Sequence, residues 1–265
     1  MRLRASGLVR VDSLVAASAR TNHQTGWALS LCVAAREAGG SFRASLPVPR
    51  PVLGPGHVAA DPMRAAEEAA RRARSKSRRY CAANRLNRLG TLTYRGDGCH
   101  DPKQLRADVA AFFRSLRGLL GGNAFAYLWT SEWHKSGHGL HVHFAVGRFI
   151  ARRLIEQAWP HGHVHIKLLG DLPAGSGAIA EARLAARYLS KYVGKDFNAA
   201  RSRGLHRYEV AQGFLPAITP VWGSSCDEAI DKACVLMGAE PELVWFSDDK
   251  DGWQGPPALW LQWRG

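Results

Sequence analysis

Four histidines crowd the stretch SEWHKSGHGLHVHFAVG, Ser131 to Gly147: His134, His138, His141 and His143. The last two flank a single valine. If GLHVHFAVG is a strand, side chains alternate between its faces. Leu140, Val142, Phe144 and Val146 then point into a core, and His141 and His143 stand side by side on the other face. Glu132 ends the preceding apolar run and can reach across from a neighbouring strand. Two imidazoles and one carboxylate leave coordination positions open, which suits a catalytic divalent ion that also holds substrate oxygens. An HxH pair by itself is short and common, and alone it reads as two surface histidines. His134 and His138 sit in the turn and are weaker candidates. His161, His163 and His165 form a second alternating set. With no carboxylate evident near them, they read as surface or DNA-facing residues.

The second stretch is RYLSKYVGKDF. On a helix of 3.6 residues per turn, Tyr188, Lys191, Tyr192 and Lys195 share one stripe. Ala182, Ala186, Leu189 and Val193 form a separate apolar stripe that can bury against a sheet, which leaves the tyrosines and lysines to face a partner. A phenol beside an ammonium and opposite a divalent ion is equipped to attack a phosphodiester in line. A 3′ hydroxyl leaves, a 5′-phosphotyrosyl link remains, and the conserved bond energy allows resealing or transfer.

The elements that must position these groups are legible in outline. Asp61-Pro62 and Asp101-Pro102 are cap-then-first-turn pairs that open helices. In the second of these helices Leu105, Val109, Phe112, Leu116 and Leu119 recur at helical spacing, and Gly121-Gly122 ends it. LGTLTY reads as a short strand. AFAYLWTSEW and GLHVHFAVG read as an antiparallel hairpin joined by HKSGHG. GHVHIKLL reads as a further strand and AIAEARLAARYLSKYVGK as a helix. A helix near 226–238 and a strand at ELVWF follow the turn-rich QGFLPAITPVWGSS. The expected class is α+β: a central antiparallel sheet with helices packed on one face. Residues 1–60 read as an extension that adds strands, 61–215 as the catalytic domain, and 216–265 as a C-terminal segment packing on the core.

Composition says what this machinery meets. The chain has 265 residues, 36 Lys+Arg against 22 Asp+Glu, and a net charge of +14. A chain this basic is matched to a polyanion. The first predicted helix and its exit concentrate the charge: Arg71, Arg72, Arg74, Lys76, Arg78, Arg79, Arg85 and Arg88, with no acid among them. That exceeds what a solvated face needs and points to phosphate contact. Five widely spaced cysteines without a CxxC pair argue against a disulfide scaffold and against a cysteine zinc site. No apolar run reaches the ~18 residues of a membrane span. No secretory signal is evident, and the expected location is the bacterial cytoplasm.

Together these stretches resemble the three motifs of the HUH endonuclease superfamily, nearest to the rolling-circle replication initiators of bacterial plasmids and phages. GTLTY resembles the first motif. EWHKSGHGLHVHF resembles the second, with His141 and His143 as metal ligands and Glu132 as the third. YLSKYVGKD resembles the third. The resemblance covers roughly residues 70–200 and is specific only as a set. It implies a nuclease core with the histidines on a middle strand, Mg²⁺ or Mn²⁺ as cofactor, single-stranded origin DNA as substrate, and a host helicase and polymerase as partners. The family uses either two tyrosines spaced YxxxY or one tyrosine followed by xxKD, and YLSKYVGKD fits both. Tyr192 is favoured as first nucleophile and Tyr188 as second. No GxxxxGK[ST] appears, so no fused helicase is expected. Transposases and mobilisation relaxases share these motifs. Two rival readings are a DNA-binding regulator that kept the fold without the chemistry, and a zinc hydrolase, which leaves the tyrosine helix unexplained.

Overall fold

The computed structural model describes residues 25–44, 61–167, 177–193, 208–253 and 255–265. In chain order the elements are β1 (Gly26–Cys32), β2 (Glu37–Arg43), α1 (Pro62–Ala83), β3 (Arg88–Tyr94), α2 (Pro102–Leu119), β4 (Tyr127–Trp133), β5 (Leu140–Val146), α3 (Arg152–Ala158), β6 (Gly162–Lys167), α4 (Gly177–Val193), β7 (Glu209–Val210), β8 (Thr219–Gly223), α5 (Cys226–Met237), β9 (Leu243–Phe246) and β10 (Ala258–Gln262). The chain divides into two compact units. One comprises Gly54–Ala217 with Gly265, the other Met1–Leu53 with Ile218–Arg264. Among the described residues no helix is long and apolar enough to cross a membrane.

The Gly54–Ala217 unit is built on an antiparallel sheet of order β6-β3-β5-β4-β7, so the histidine strand β5 is central. Its helices start where local chemistry places them. The Asp61 side chain accepts the backbone N–H of Arg64 at 2.9 Å, and Asp101 accepts that of Lys103 at 2.8 Å. Each such cap contributes about 1 kcal/mol. One face of the sheet buries Leu92, Trp129, Val142, Phe144 and Val146 against Leu105, Val109, Phe112 and Leu116 of α2 and Ile155 of α3. Burying a leucine or phenylalanine fully is worth roughly 1.5–3 kcal/mol, so this layer dominates the unit's stability. The α+β class and the antiparallel sheet stand as expected. Helices, however, cover both faces and not one. Leu89, Leu128 and Ala145 on the histidine face pack with Tyr80 and Cys81 of α1 and with Ala185, Ala186 and Leu189 of α4. The strands are apolar on both sides at one end, and polar on the second side only where His141 and His143 stand.

The other unit is a sheet of order β8-β1-β2-β10-β9, with every pairing antiparallel. Helix α5 packs Ala229 and Ala233 against Leu29, Leu31, Val221 and Leu261. The strands expected from the N-terminal extension are β1 and β2, and they pair with β8 and β10 from the far end of the chain. The turn-rich reading of QGFLPAITPVWGSS misses β8. Its Pro220 is tolerated because β8 is an edge strand, where a missing backbone N–H breaks no inner ladder.

Candidate active site

The β4–β5 hairpin sets the first part of the site. Its register pairs Glu132 with His141 and Thr130 with His143. The connection closes on Gly139, at φ +84°, where a side chain would run into the Cys99 backbone. Leu140 N–H donates to Cys99 O at 2.7 Å and locks this approach. His143 is buried, 6% exposed. Its Nε2 lies 3.2 Å from Glu132 Oε2, and its Nδ1 lies 3.0 Å from Thr91 Oγ1 on β3. Thr91 belongs to GTLTY, and nothing in that stretch marks it out from Thr93. Its position directly across from His143 is a consequence of β3–β5 pairing.

His141 is held differently. Its Nε2 is buried and makes no hydrogen bond. Burial first, then the nearby His134, His143 and His138, push its pKa down to about 4, so the ring is neutral at neutral pH. The His134 ring stacks on it at 4.4 Å, and that of His138 meets it edge-on at 6.1 Å. A buried nitrogen without a partner costs about 1–3 kcal/mol unless something supplies one, and a neutral imidazole lone pair is the form that binds a metal ion. The donor set therefore fits a divalent cation in type. In the present arrangement His143 Nε2 is turned to Glu132. No group of three or more His, Cys, Asp or Glu among the described residues is gathered as a ready-made metal cage.

Helix α4 supplies the phenols. It buries Ile179, Ala182, Ala185, Ala186, Leu189 and Val193, and so turns the tyrosine stripe to the histidines. The Tyr192 ring lies flat on His143, with centroids 3.8 Å apart and planes 14° apart. Tyr188 meets His143 edge-on at 6.4 Å. The Tyr192 hydroxyl donates to the Tyr188 hydroxyl oxygen at 3.0 Å. Burial first, then this hydrogen bond, raises the Tyr192 pKa well above that of a free phenol. Lys191 is exposed and puts Nζ 5.7 Å from the Tyr188 ring centroid. Lys195 lies outside the described residues.

The arginine-rich helix is α1, which packs against α4. Arg71, Arg72, Arg74 and Lys76 are exposed, and Arg78 and Arg79 half-buried. Arg72 also meets Glu68 at 3.4 Å, one turn upstream of the acid-free run. Arg85 has a local structural task. At φ +51° to +55° the chain holds two non-glycine residues, Arg36 and Arg85, and Arg85 Nη1 donates to Ala82 O at 2.7 Å and Ala83 O at 3.0 Å, closing the end of α1. The Arg88 guanidinium sits 5.6 Å above the Phe149 ring. His161 does have a carboxylate neighbour: Asp108 of α2 is 3.7 Å away, brought there by packing between distant elements.

Residues 87–197 match the family model of replication-associated protein ORF2/gene II protein. The match starts one residue before β3, is under half of the chain, and contains Thr91, Glu132, His141, His143, Tyr188, Lys191 and Tyr192. It leaves out α1 and the whole unit made from the two ends of the chain. No curated protein and no solved structure matches the chain.

Proposed function

We propose that this chain nicks single-stranded DNA through a tyrosine nucleophile and transfers the cut strand, initiating rolling-circle replication. The observation that carries the reading is the placement of the Tyr192 phenol, flat on His143 and hydrogen-bonded to Tyr188, within the segment that matches a replication-associated family. His141, His143 and Glu132 would hold Mg²⁺ or Mn²⁺, which when bound draws charge from the phosphate oxygens. Thr91 at His143 Nδ1 orients that ring and leaves Nε2 as the ligating atom. Tyr192 Oη attacks phosphorus, the P–O3′ bond breaks, and the 3′ oxygen leaves and takes up a proton. The Tyr192 proton already points at Tyr188, which can accept it while releasing its own to solvent. Lys191 offers positive charge beside the same phenols.

The test is an SDS-stable adduct between the full chain and a randomised single-stranded DNA pool with Mn²⁺, mapped by mass spectrometry. Wild type forms it, and chelation of the metal prevents it. Tyr192→Phe loses most of it, because Phe retains the ring and deletes the attacking oxygen. Tyr188→Phe retains the adduct but fails in a second cut or strand transfer. An adduct that persists in the Tyr188→Phe/Tyr192→Phe double variant sinks the mechanism.

A further inference from the structure

Strand β6 lies at the edge of the site sheet, and its register puts three side chains in line with the histidines. His165 pairs with Thr91, which in turn pairs with His143. His163 pairs with Thr93 one step along. Lys167 pairs with Leu89, a residue of the histidine-face core. Since Val164 is buried in the opposite layer, His163, His165 and Lys167 all stand on the face that carries His141 and His143. All three are exposed. Two strand spacings, about 10 Å, separate the His165 backbone from that of His143. At the end of this row Lys167 Nζ sits 4.8 Å from the Tyr188 ring centroid. Lys191 approaches the same ring from α4 at 5.7 Å. One phenol is thus flanked by ammonium groups from two elements far apart in the chain.

We propose that the Lys167–His165–His163 row of β6 is the track that seats the single-stranded DNA next to the cutting site, with Lys167 as the phosphate anchor that positions the backbone at Tyr188. This rests on the strand-nicking reading above for its substrate, but not for its geometry. A flat, exposed strip of imidazoles ending in an ammonium matches a flexible polyanion with stackable bases: Lys167 meets phosphate, and the two imidazoles stack under bases or donate to phosphate oxygens. The Lys167 stem along the Tyr188 ring also limits where that phenol can turn, which bears on which tyrosine receives the strand.

Two measurements on the full chain test it. The first is anisotropy with fluorescent oligodeoxythymidylate across a salt series, which needs no cleavage. Lys167→Met should weaken binding and lower the log–log salt slope by ~0.7, the share of one neutralised phosphate on a single strand. His163→Ala/His165→Ala should weaken binding with a smaller change of slope. Lys167→Arg should restore the slope. The second is the mapped adduct: Lys167→Met should slow its formation about tenfold and change the ratio of Tyr192-linked to Tyr188-linked product, and Lys167→Arg should recover the ratio. Unchanged slope, rate and ratio in Lys167→Met overturn the inference. A reduced slope in a protein whose wild type forms no adduct would instead keep the track and remove the nicking reading.

Discussion

Each of the two units has a five-stranded antiparallel sheet, and their central strands are used in opposite ways. In the site sheet the centre is β5, where His141 and His143 stand. Helices cover both faces of it, so polar groups there are desolvated. The His141 imidazole is held neutral and the Tyr192 phenol is held protonated, in both cases chiefly by burial. In the sheet made from the chain ends the centre is β2, where Gly39 and Gly40 stand. A side chain at Gly39 would press on Trp260, and one at Gly40 would strike the Ala28 carbonyl. The centre of that sheet is given over to close backbone approach. Its largest carboxylate shift is Glu228, on the surface and caused by hydrogen bonds from Lys232 and Ser224. Buried, desolvation-driven shifts beside a phenol pair mark a site where chemistry is done, whereas a surface ion pair at a helix start marks an element that has been fastened.

The sharpest way to break this contrast is to empty the centre of the site sheet. His141→Ala with His143→Ala should slow adduct formation by at least ~100-fold, about 3 kcal/mol of transition-state stabilisation. Binding to single-stranded DNA should change little in the same variant, since most phosphate contact comes from other residues. Normal nicking by this double variant would show that the two central strands do not differ in the way described.

Removing charge from α1 is expected to act on binding and not on chemistry. Replacing Arg71, Arg72, Arg78 and Arg79 by Ala should lower the salt slope by up to ~0.7 for each phosphate of a single strand that is no longer neutralised. Arg72 should contribute less than a fully solvated arginine, because it already pairs with Glu68. Arg85→Ala should register as reduced stability, since that side chain closes the end of α1. An unchanged slope would assign the four arginines to solvent.

The glycines compare the two sheets directly. Gly40→Ala forces a methyl onto backbone, whereas Gly90→Ala on β3 forces one onto the Phe144 ring, which can shift. Overpacking of this kind costs about 1–3 kcal/mol, with Gly40→Ala at the upper end. Thermal melting of both variants should show the larger drop for Gly40→Ala. Gly90→Ala should add a fall in adduct rate, because Phe144 adjoins His143. The reverse order of melting temperatures would contradict the packing described for β2.

The smallest effect is expected at Glu228. Its carboxyl pKa is pulled down to about 2, first by Lys232 and then by Ser224. A carboxylate lowered on folding adds stability that is full above its ordinary value near 4.5 and is lost as pH falls toward 2. Glu228→Gln should flatten the acid limb of stability over that window. At neutral pH it should change stability only through the weakened hydrogen bonding at the helix start. The contribution should shrink with added salt, because the group is exposed.

Much of the site sheet could be read from short stretches. Asp61-Pro62 and Asp101-Pro102 do open helices, Gly121 and Gly122 do follow the end of α2 at positive φ, and the hairpin does set Glu132 opposite His141. What escapes such reading is proximity between distant segments. The His161–Asp108 pair joins β6's approach to α2, Thr91 reaches His143 across β3, and Lys167 reaches Tyr188 from β6 to α4. Strand β8 escapes because Pro220 reads as a breaker until the chain's far end makes it an edge.

By itself, then, the sequence determined the spacings: imidazoles two apart on a strand, phenols four apart on a helix, a carboxylate across a tight turn. Those follow from the strand and helix periods, which a few consecutive residues set by steric and hydrogen-bonding rules. Only the tertiary structure decided that Tyr192 lies on His143, that helices close over both faces of the site sheet, and that the two ends of the chain pair in a sheet of their own. Those outcomes depend on apolar area contributed jointly by segments far apart, Leu189 with Ala145 and Leu29 with Leu261 among them, and no local stretch contains that sum.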